Sequence, residues 1–147
     1  LFREEMRLAL LVAMLVSACV AGRTIEVNFR VRGNLTCSSK LFDAYVNIWE
    51  WDDHNDDYLG GYDFKNQRNY VSYDVRGKAY DGFFEFYVEP LISIEHTCGG
   101  LYTCLCKFFG EVNSDIDERL NVNLEKNDLV SCHACPVAKA MREKKKG

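Results

Sequence analysis

Residues 24–37, TIEVNFRVRGNLTC, alternate between apolar and polar side chains. The odd-numbered positions are apolar apart from one glycine, and the even-numbered positions are polar. Because successive side chains of a strand point to opposite faces, this pattern predicts a long β-strand with one face in a core. A helix would distribute the same apolar residues around its circumference. Gly33 interrupts the apolar face, and a glycine inside a strand often marks a bulge or the close approach of another backbone.

Shorter stretches with strand-like composition follow this one, separated by turn signals. They are residues 44–51, 58–62, 70–76, 83–88, 91–98, 103–109 and 120–124. No stretch after the first 21 residues has a convincing period of 3.6, the helical repeat. The pattern therefore predicts an all-β protein, a two-sheet antiparallel β-sandwich of seven or eight strands.

The overall composition excludes some classes of protein. Apolar residues make up 48% of the chain and aromatic residues 13%, which is too much for a disordered chain. The whole chain carries a net charge of −4 and its last residues, 136–147, carry +4, so the body is acidic, near −8. An acidic body argues against nucleic-acid binding, which normally needs a basic stripe. We interpret residues 136–147 as a solvated, mobile basic tail.

The first 21 residues have the organisation of a secretory signal peptide. A basic start at Met6-Arg7 is followed by an apolar run over residues 8–16 and by small residues over 17–22. The run is shorter than the ~20 residues that a membrane-spanning helix needs. An alternative is a bacterial lipoprotein signal with Cys19 lipidated. We expect a leader (1–21), a sandwich domain (22–135) and the tail (136–147), in a protein that is secreted and extracellular.

Six cysteines remain after the leader is removed. They are Cys37, Cys98, Cys104, Cys106, Cys132 and Cys135. An even number in a secreted domain predicts a disulfide-stapled fold. Cys104 and Cys106 lie on one face of a strand with parallel side chains, so they are not expected to pair with each other. Cys98 and Cys104 flank the Gly99-Gly100 turn, and a bridge between them is one hypothesis.

Two other interpretations of the cysteines remain open at this point. Cys132 and Cys135 form a C-x-x-C, which is found in redox pairs and in half-sites for zinc. Together with Cys104 and Cys106 they would give four thiolates, although the spacing matches structural zinc sites loosely. The absence of a βαβ pattern and the oxidising compartment favour structural disulfides.

Four motifs occur in a characteristic order along the chain. They are Val31-x-Gly33-x-Leu35-x-Cys37, Val46-Asn47-Ile48-Trp49-x-x-Asp52-Asp53, Pro90-x-Ile92-x-Ile94-x-His96-x-Cys98 and Leu120-Asn121-Val122-Asn123-Leu124. This set resembles the nematode transthyretin-like family over roughly residues 27–135. The sequence departs from the family over residues 63–82, which lack its T-D-x-x-G-x-F run. Cys106 and one of Cys132 or Cys135 are additional.

The resemblance implies a secreted transthyretin-like β-sandwich that acts by binding and not by catalysis, without a cofactor. Similar proteins are extracellular carriers or bridging ligands. The implied partners are a small apolar molecule, an anionic lipid or a cell-surface receptor.

His96 is the one residue that suggests catalysis. It shares the apolar face of Ile92 and Ile94, where a histidine is more often a hydrogen-bonded core residue than a base. The alternative function is a small secreted hydrolase that uses His96 with a nearby carboxylate. Burial of His96 against the backbone would argue against it.

Three further groups of residues are candidates for binding or modification. Asn34 lies in the only N-x-S/T sequence, on the polar face of the first predicted strand, and is a candidate glycosylation site. An acidic loop contains Asp52, Asp53, Asp56 and Asp57, but it lacks the residue order of a calcium loop. Basic residues outside the tail are candidates for contact with anionic lipid. They are Arg30, Arg32, Lys65, Arg68, Arg76 and Lys78.

The aromatic stretch near residue 85 suggests a contact surface. Phe84 and Phe86 share a face with Val88, and Phe83 shares the opposite face with Tyr87. If one face is core, the other is an exposed aromatic patch. Such a patch would contact a ligand, a partner or a second copy in a homo-oligomer.

Overall fold

A computed structural model describes residues 24–38, 41–51, 57–81 and 86–133. The strands are β1 (Ile25–Thr36), β2 (Phe42–Glu50), β3 (Asp57–Gln67), β4 (Tyr70–Asp81), β5 (Pro90–His96), β6 (Thr103–Phe108), β7 (Ile116–Arg119), β8 (Val122–Asn123) and β9 (Val130–Ser131). A short 3₁₀ turn, Cys98–Gly100, follows β5. The predicted leader, the basic tail and residues 52–56 of the acidic loop lie outside the described residues. Within these ranges, no helix is long and apolar enough to cross a bilayer.

The strands form two sheets, and the predicted disulfide-stapled β-sandwich is confirmed. The first sheet has the order β4-β1-β7, with β8 also paired to β1, and the second has the order β3-β2-β5-β6-β9. Most pairs are antiparallel, but β1 pairs in parallel with both β7 and β8. The parallel pairs follow from the connection after β6. β6 ends at the same end of the sandwich at which β1 begins. The chain crosses to the first sheet there, so β7 and β8 run in the same direction as β1.

The core lies between the sheets and begins with the alternation of β1. Val27, Phe29, Val31 and Leu35 are each 1% exposed or less. Buried side chains of the second sheet pack against these residues. These include Phe42, Ala44, Val46, Ile48, Ile92, Ile94 and Leu105. Each fully buried side chain of this size contributes about 1.5–3 kcal/mol, which makes this cluster the main source of stability.

Gly33 lies where β7 and β8 meet β1, and the predicted close approach of another backbone is confirmed. A Cβ atom added to Gly33 would lie 1.9 Å from the carbonyl oxygen of Leu120. The Leu120 N–H donates to the carbonyl of Arg32 at 2.9 Å. The Tyr73 hydroxyl donates to the carbonyl of Leu120 at 2.6 Å. The missing side chain therefore lets the backbone between β7 and β8 lie directly against β1.

Several predicted strand limits are wrong. β3 and β4 are longer than predicted, because β3 pairs with β2 over Asp57–Gln67 and β4 pairs with β1 over Tyr70–Asp81. The prediction for residues 83–88 is wrong where the structure describes it. Phe86 and Tyr87 are not in a strand, and Val88 forms only an isolated bridge with Val112. The strand predicted over 120–124 is reduced to Val122–Asn123, and β7 and β9 were not predicted.

Candidate binding surface

Two disulfides join described cysteines, Cys37–Cys98 and Cys104–Cys132. Cys106 is also disulfide-bonded. The hypothesis of a Cys98–Cys104 bridge is wrong. Cys98 faces the core, whereas Cys104 alternates with core-facing Leu105 and so points to the outer face of the second sheet.

The bridge between Cys104 and Cys132 also removes the zinc and redox interpretations. Cys132 is bonded to Cys104 and not to Cys135, so the C-x-x-C is not a dithiol pair. Sulfurs joined in a disulfide are not the thiolates that zinc requires. As predicted, Cys104 and Cys106 are not bonded to each other. The cysteines therefore hold the strands together.

His96 is enclosed at the end of β5. It is 2% exposed, and its Nδ1 accepts a hydrogen bond from the backbone N–H of Cys98 at 3.2 Å. Nε2 is buried without a hydrogen-bond partner among the described residues. Burial lowers the pKa of His96 below its ordinary value. A general base must reach its substrate, so this geometry gives the hydrolase alternative no support.

Acid should destabilise the fold through His96. The folded chain keeps His96 neutral, whereas the unfolded chain takes up a proton near pH 6.5, so the unfolded state binds more protons below that pH. We expect the free energy of unfolding to fall as the pH drops from 6.5 towards the lowered pKa of the folded state. The slope is at most about 1.4 kcal/mol per pH unit. Urea unfolding followed from pH 7.5 down to pH 5 measures it.

His96→Gln removes the titrating group at this position, and the exposed His133 offers the matched control, His133→Gln. The slope should disappear in the first variant and persist in the second. The pKa values of Asp74, Asp115 and Glu125 are lowered by hydrogen bonds, so these carboxylates titrate below this pH window. An unchanged slope in His96→Gln would assign the acid sensitivity to another group.

The outer face of the first sheet is a ladder of ion pairs. Arg30 donates two hydrogen bonds to Asp74, at 2.9 and 2.7 Å. Arg76 lies 3.3 Å from the same carboxylate, and Arg32 lies 3.2 Å from Asp117. The hydrogen bond from Arg30, followed by that from Arg76, holds the pKa of Asp74 far below its ordinary range. Arg30 and Arg32 are therefore paired with carboxylates on neighbouring strands, and Arg76 shares Asp74 with Arg30 from within β4.

Two of the remaining basic candidates are paired in the same way. Lys78 Nζ lies 2.7 Å from Glu26, and Lys65 Nζ lies 3.7 Å from Asp43 and 4.0 Å from the centre of the Tyr45 ring. The binding of anionic lipid requires basic groups that are not already compensated. Five of the six basic candidates therefore lie beside carboxylates, and Arg68 is exposed without an ion pair to the described residues.

The outer face of the second sheet has a different character. One cross-strand row runs Tyr58–Trp49–Leu91–Phe108 across β3, β2, β5 and β6, each neighbour being a register partner of the next. The Trp49 and Tyr58 ring centroids are 5.2 Å apart. Trp51, just beyond β2, packs edge-on against Phe108 with centroids 6.2 Å apart. We call Trp49, Trp51, Tyr58 and Phe108 the aromatic face.

The aromatic face is fixed by its neighbours and open to solvent at its ends. The Trp49 indole N–H donates to the Ser93 hydroxyl oxygen at 3.0 Å, which sets the orientation of the ring. Leu91, at the centre of the row, is fully buried. Tyr58 is 52% exposed and Phe108 is 37% exposed. Aromatic side chains held rigidly on a sheet can contact apolar or planar groups with little loss of conformational entropy.

Sequence reasoning placed the aromatic patch elsewhere. Of the predicted patch, Phe83 and Phe84 lie outside the described residues, whereas Phe86 and Tyr87 are exposed. The sequence pattern that indicates the aromatic face lies in and just after β2. Trp49 and Trp51 alternate with the buried Ile48 and Glu50, which places both indoles on the outward side of the strand.

No protein-family model matches the sequence, and no curated protein matches it significantly.

Proposed function

We propose that the chain is a secreted, non-enzymatic, transthyretin-like binding protein that contacts its partner through the aromatic face. The observation that carries the proposal is the row of aromatic rings on the outer face of the second sheet. The outer face of the first sheet, by contrast, has its charges paired within the sheet. Aromatic residues are enriched at the energetic centres of interfaces, and charged residues are depleted there.

The position of the aromatic face favours a bridging role over that of an enclosing carrier. The space between the sheets is occupied by one continuous apolar cluster, whereas the rings lie on the outside. An outer sheet face suits the apolar surface of a cell-surface protein, or an apolar molecule that lies flat on it.

The motifs that resemble the transthyretin-like family support the transthyretin-like part of the proposal, because their residues have structural roles in this fold. Val31 and Leu35 are in the core, and Gly33 makes room for the backbone of Leu120. Cys37 ends the first motif and is bonded to Cys98, which ends the third. The disulfides support secretion, since such bridges persist in oxidising compartments.

Intrinsic fluorescence tests the proposal directly. The chain contains two tryptophans, Trp49 and Trp51, and both belong to the aromatic face. We expect an anilinonaphthalene sulfonate dye to bind there and to receive excitation energy from the indoles. Replacing Tyr58 and Phe108 together by serine should weaken dye binding about tenfold, equivalent to about 1.4 kcal/mol.

Tyr80→Ser is the matched control, because Tyr80 is an exposed aromatic residue on the first sheet. Dye binding should be unchanged in that variant. Circular dichroism checks that each variant keeps its fold. Equal affinity for the dye in the Tyr58/Phe108 variant and the unaltered protein would contradict the assignment of the binding surface.

A further inference from the structure

We infer that Asn34 is the acceptor of an N-linked oligosaccharide, which would cover one end of the outer face of the first sheet. The inference rests on the secretion proposed above. Asn34-Leu35-Thr36 is the only N-x-S/T sequence of the chain. It lies near the end of β1, with Asn34 and Thr36 exposed on the outer face and Leu35 buried in the core.

Hydrogen bonds leave the reacting atom of Asn34 available. The Ser72 hydroxyl donates to the side-chain oxygen of Asn34 at 2.7 Å, and the backbone N–H of Asn34 donates to the side-chain oxygen of Asn121 at 3.0 Å. The amide nitrogen, Nδ2, makes no hydrogen bond within the described part of the chain. The oxygen of the side chain is thus held by its neighbour while the nitrogen is unoccupied.

The surroundings of Asn34 can accommodate a sugar. Its two nearest polar contacts, Ser72 and Asn121, are small side chains that are themselves exposed. A glycan attached here extends into solvent, so the fold need not open to receive it.

The attachment transfers an oligosaccharide from a lipid pyrophosphate donor to Asn34. A bond forms between Nδ2 and the first carbon of the sugar, while the bond from that carbon to the pyrophosphate oxygen breaks. Nδ2 loses one proton, and the lipid pyrophosphate departs with the bonding electrons. No oxidant or reductant is involved.

The glycan would give the two outer faces different roles. It would lie over the end of β1 and β4, beside the ion-pair ladder of Arg30, Asp74 and Arg76, and would hinder macromolecular contact there. The aromatic face lies on the opposite side of the sandwich, so the glycan would leave it accessible.

The test is expression of the full chain in animal cells, once with its own leader and once behind a heterologous secretory leader. Secreted protein is treated with peptide N-glycosidase, and its peptides are analysed by mass spectrometry. We expect a single glycan on Asn34, a gel shift on enzyme treatment, and complete loss of both in Asn34→Gln. Thr36→Val should also lose the glycan, whereas Thr36→Ser, which keeps the hydroxyl, should retain it.

The two leaders separate this inference from the proposed secretion. Glycosylated protein from the heterologous leader alone upholds the Asn34 site and contradicts secretion by the chain's own leader. Secreted protein with an unmodified Asn34 from the heterologous leader overturns the inference, whichever result the native leader gives. A glycan that persists in Asn34→Gln overturns it as well.

Discussion

Replacing Cys37 and Cys98 together by alanine is expected to lower the free energy of unfolding by about 4 kcal/mol. The bridge joins residues 61 positions apart, and closing a loop of this length restricts the unfolded chain strongly. Both cysteines are also part of the apolar core, with 4% and 7% of their surfaces exposed, so truncation removes buried contacts as well. Urea unfolding at pH 7.5, followed by circular dichroism, measures the change.

The control for this experiment is the pair of changes Cys104→Ala and Cys132→Ala. Their bridge closes a loop of 28 positions, and Cys104 lies on the outer face of the second sheet. Loss of this bridge should therefore cost less than loss of Cys37–Cys98. A larger cost for the Cys104–Cys132 pair would mean that loop length and core burial do not govern the contribution of these bridges.

Gly33→Ala is expected to destabilise the protein by about 4 kcal/mol, a large effect for a single methyl group. The new Cβ would lie 1.9 Å from the carbonyl oxygen of Leu120 and 2.6 Å from its carbonyl carbon. These are backbone atoms, so relief requires that β1 and the β7–β8 segment separate. The separation would break the hydrogen bonds that Leu120 makes with Arg32 and Tyr73.

A substitution at a second glycine, Gly99, distinguishes steric crowding from backbone strain as the cause of destabilisation. Gly99→Ala forces a side chain onto a residue with φ of 81°, but its Cβ would have no atom within 4 Å. We expect a cost of about 1 kcal/mol there, from the conformation alone. Thermal or urea unfolding of the two variants gives the comparison. Equal costs would show that contact with Leu120 is not what requires a glycine at position 33.

The strand pattern and the core were predictable where local alternation decides them. In β1, the apolar positions of the sequence are the buried positions of the strand, because one face of a central strand must pack against the other sheet. The close approach at Gly33 was also predictable, since the glycine stands where an apolar side chain would otherwise be. That Leu120 supplies this backbone was not predictable, because the sequence around Gly33 does not specify which distant segment packs against it.

Long-range pairing explains most of what the sequence did not reveal. β7, IDER, has two acidic residues among four and becomes a strand through its parallel partner β1. The cysteine pairing depends on which side of the second sheet each sulfur faces, and Cys98 and Cys104 are separated by the sheet itself. The aromatic face likewise combines residues of three strands, β2, β3 and β6, of which only β2 carries a recognisable signal.

The parallel pairing of β1 with β7 also constrains the order in which the chain can fold. Phe29 pairs with Ile116, so one side of β1 has no partner until 87 further residues have been made. At about 5–20 residues per second, a ribosome needs about 4–17 s to supply them. For that time a strand with one apolar face has an open edge, which other chains can join. Contacts so distant in sequence also predict slow refolding, in the range of milliseconds to seconds. Simultaneous synthesis of many copies should therefore favour aggregation of this chain through its first strand.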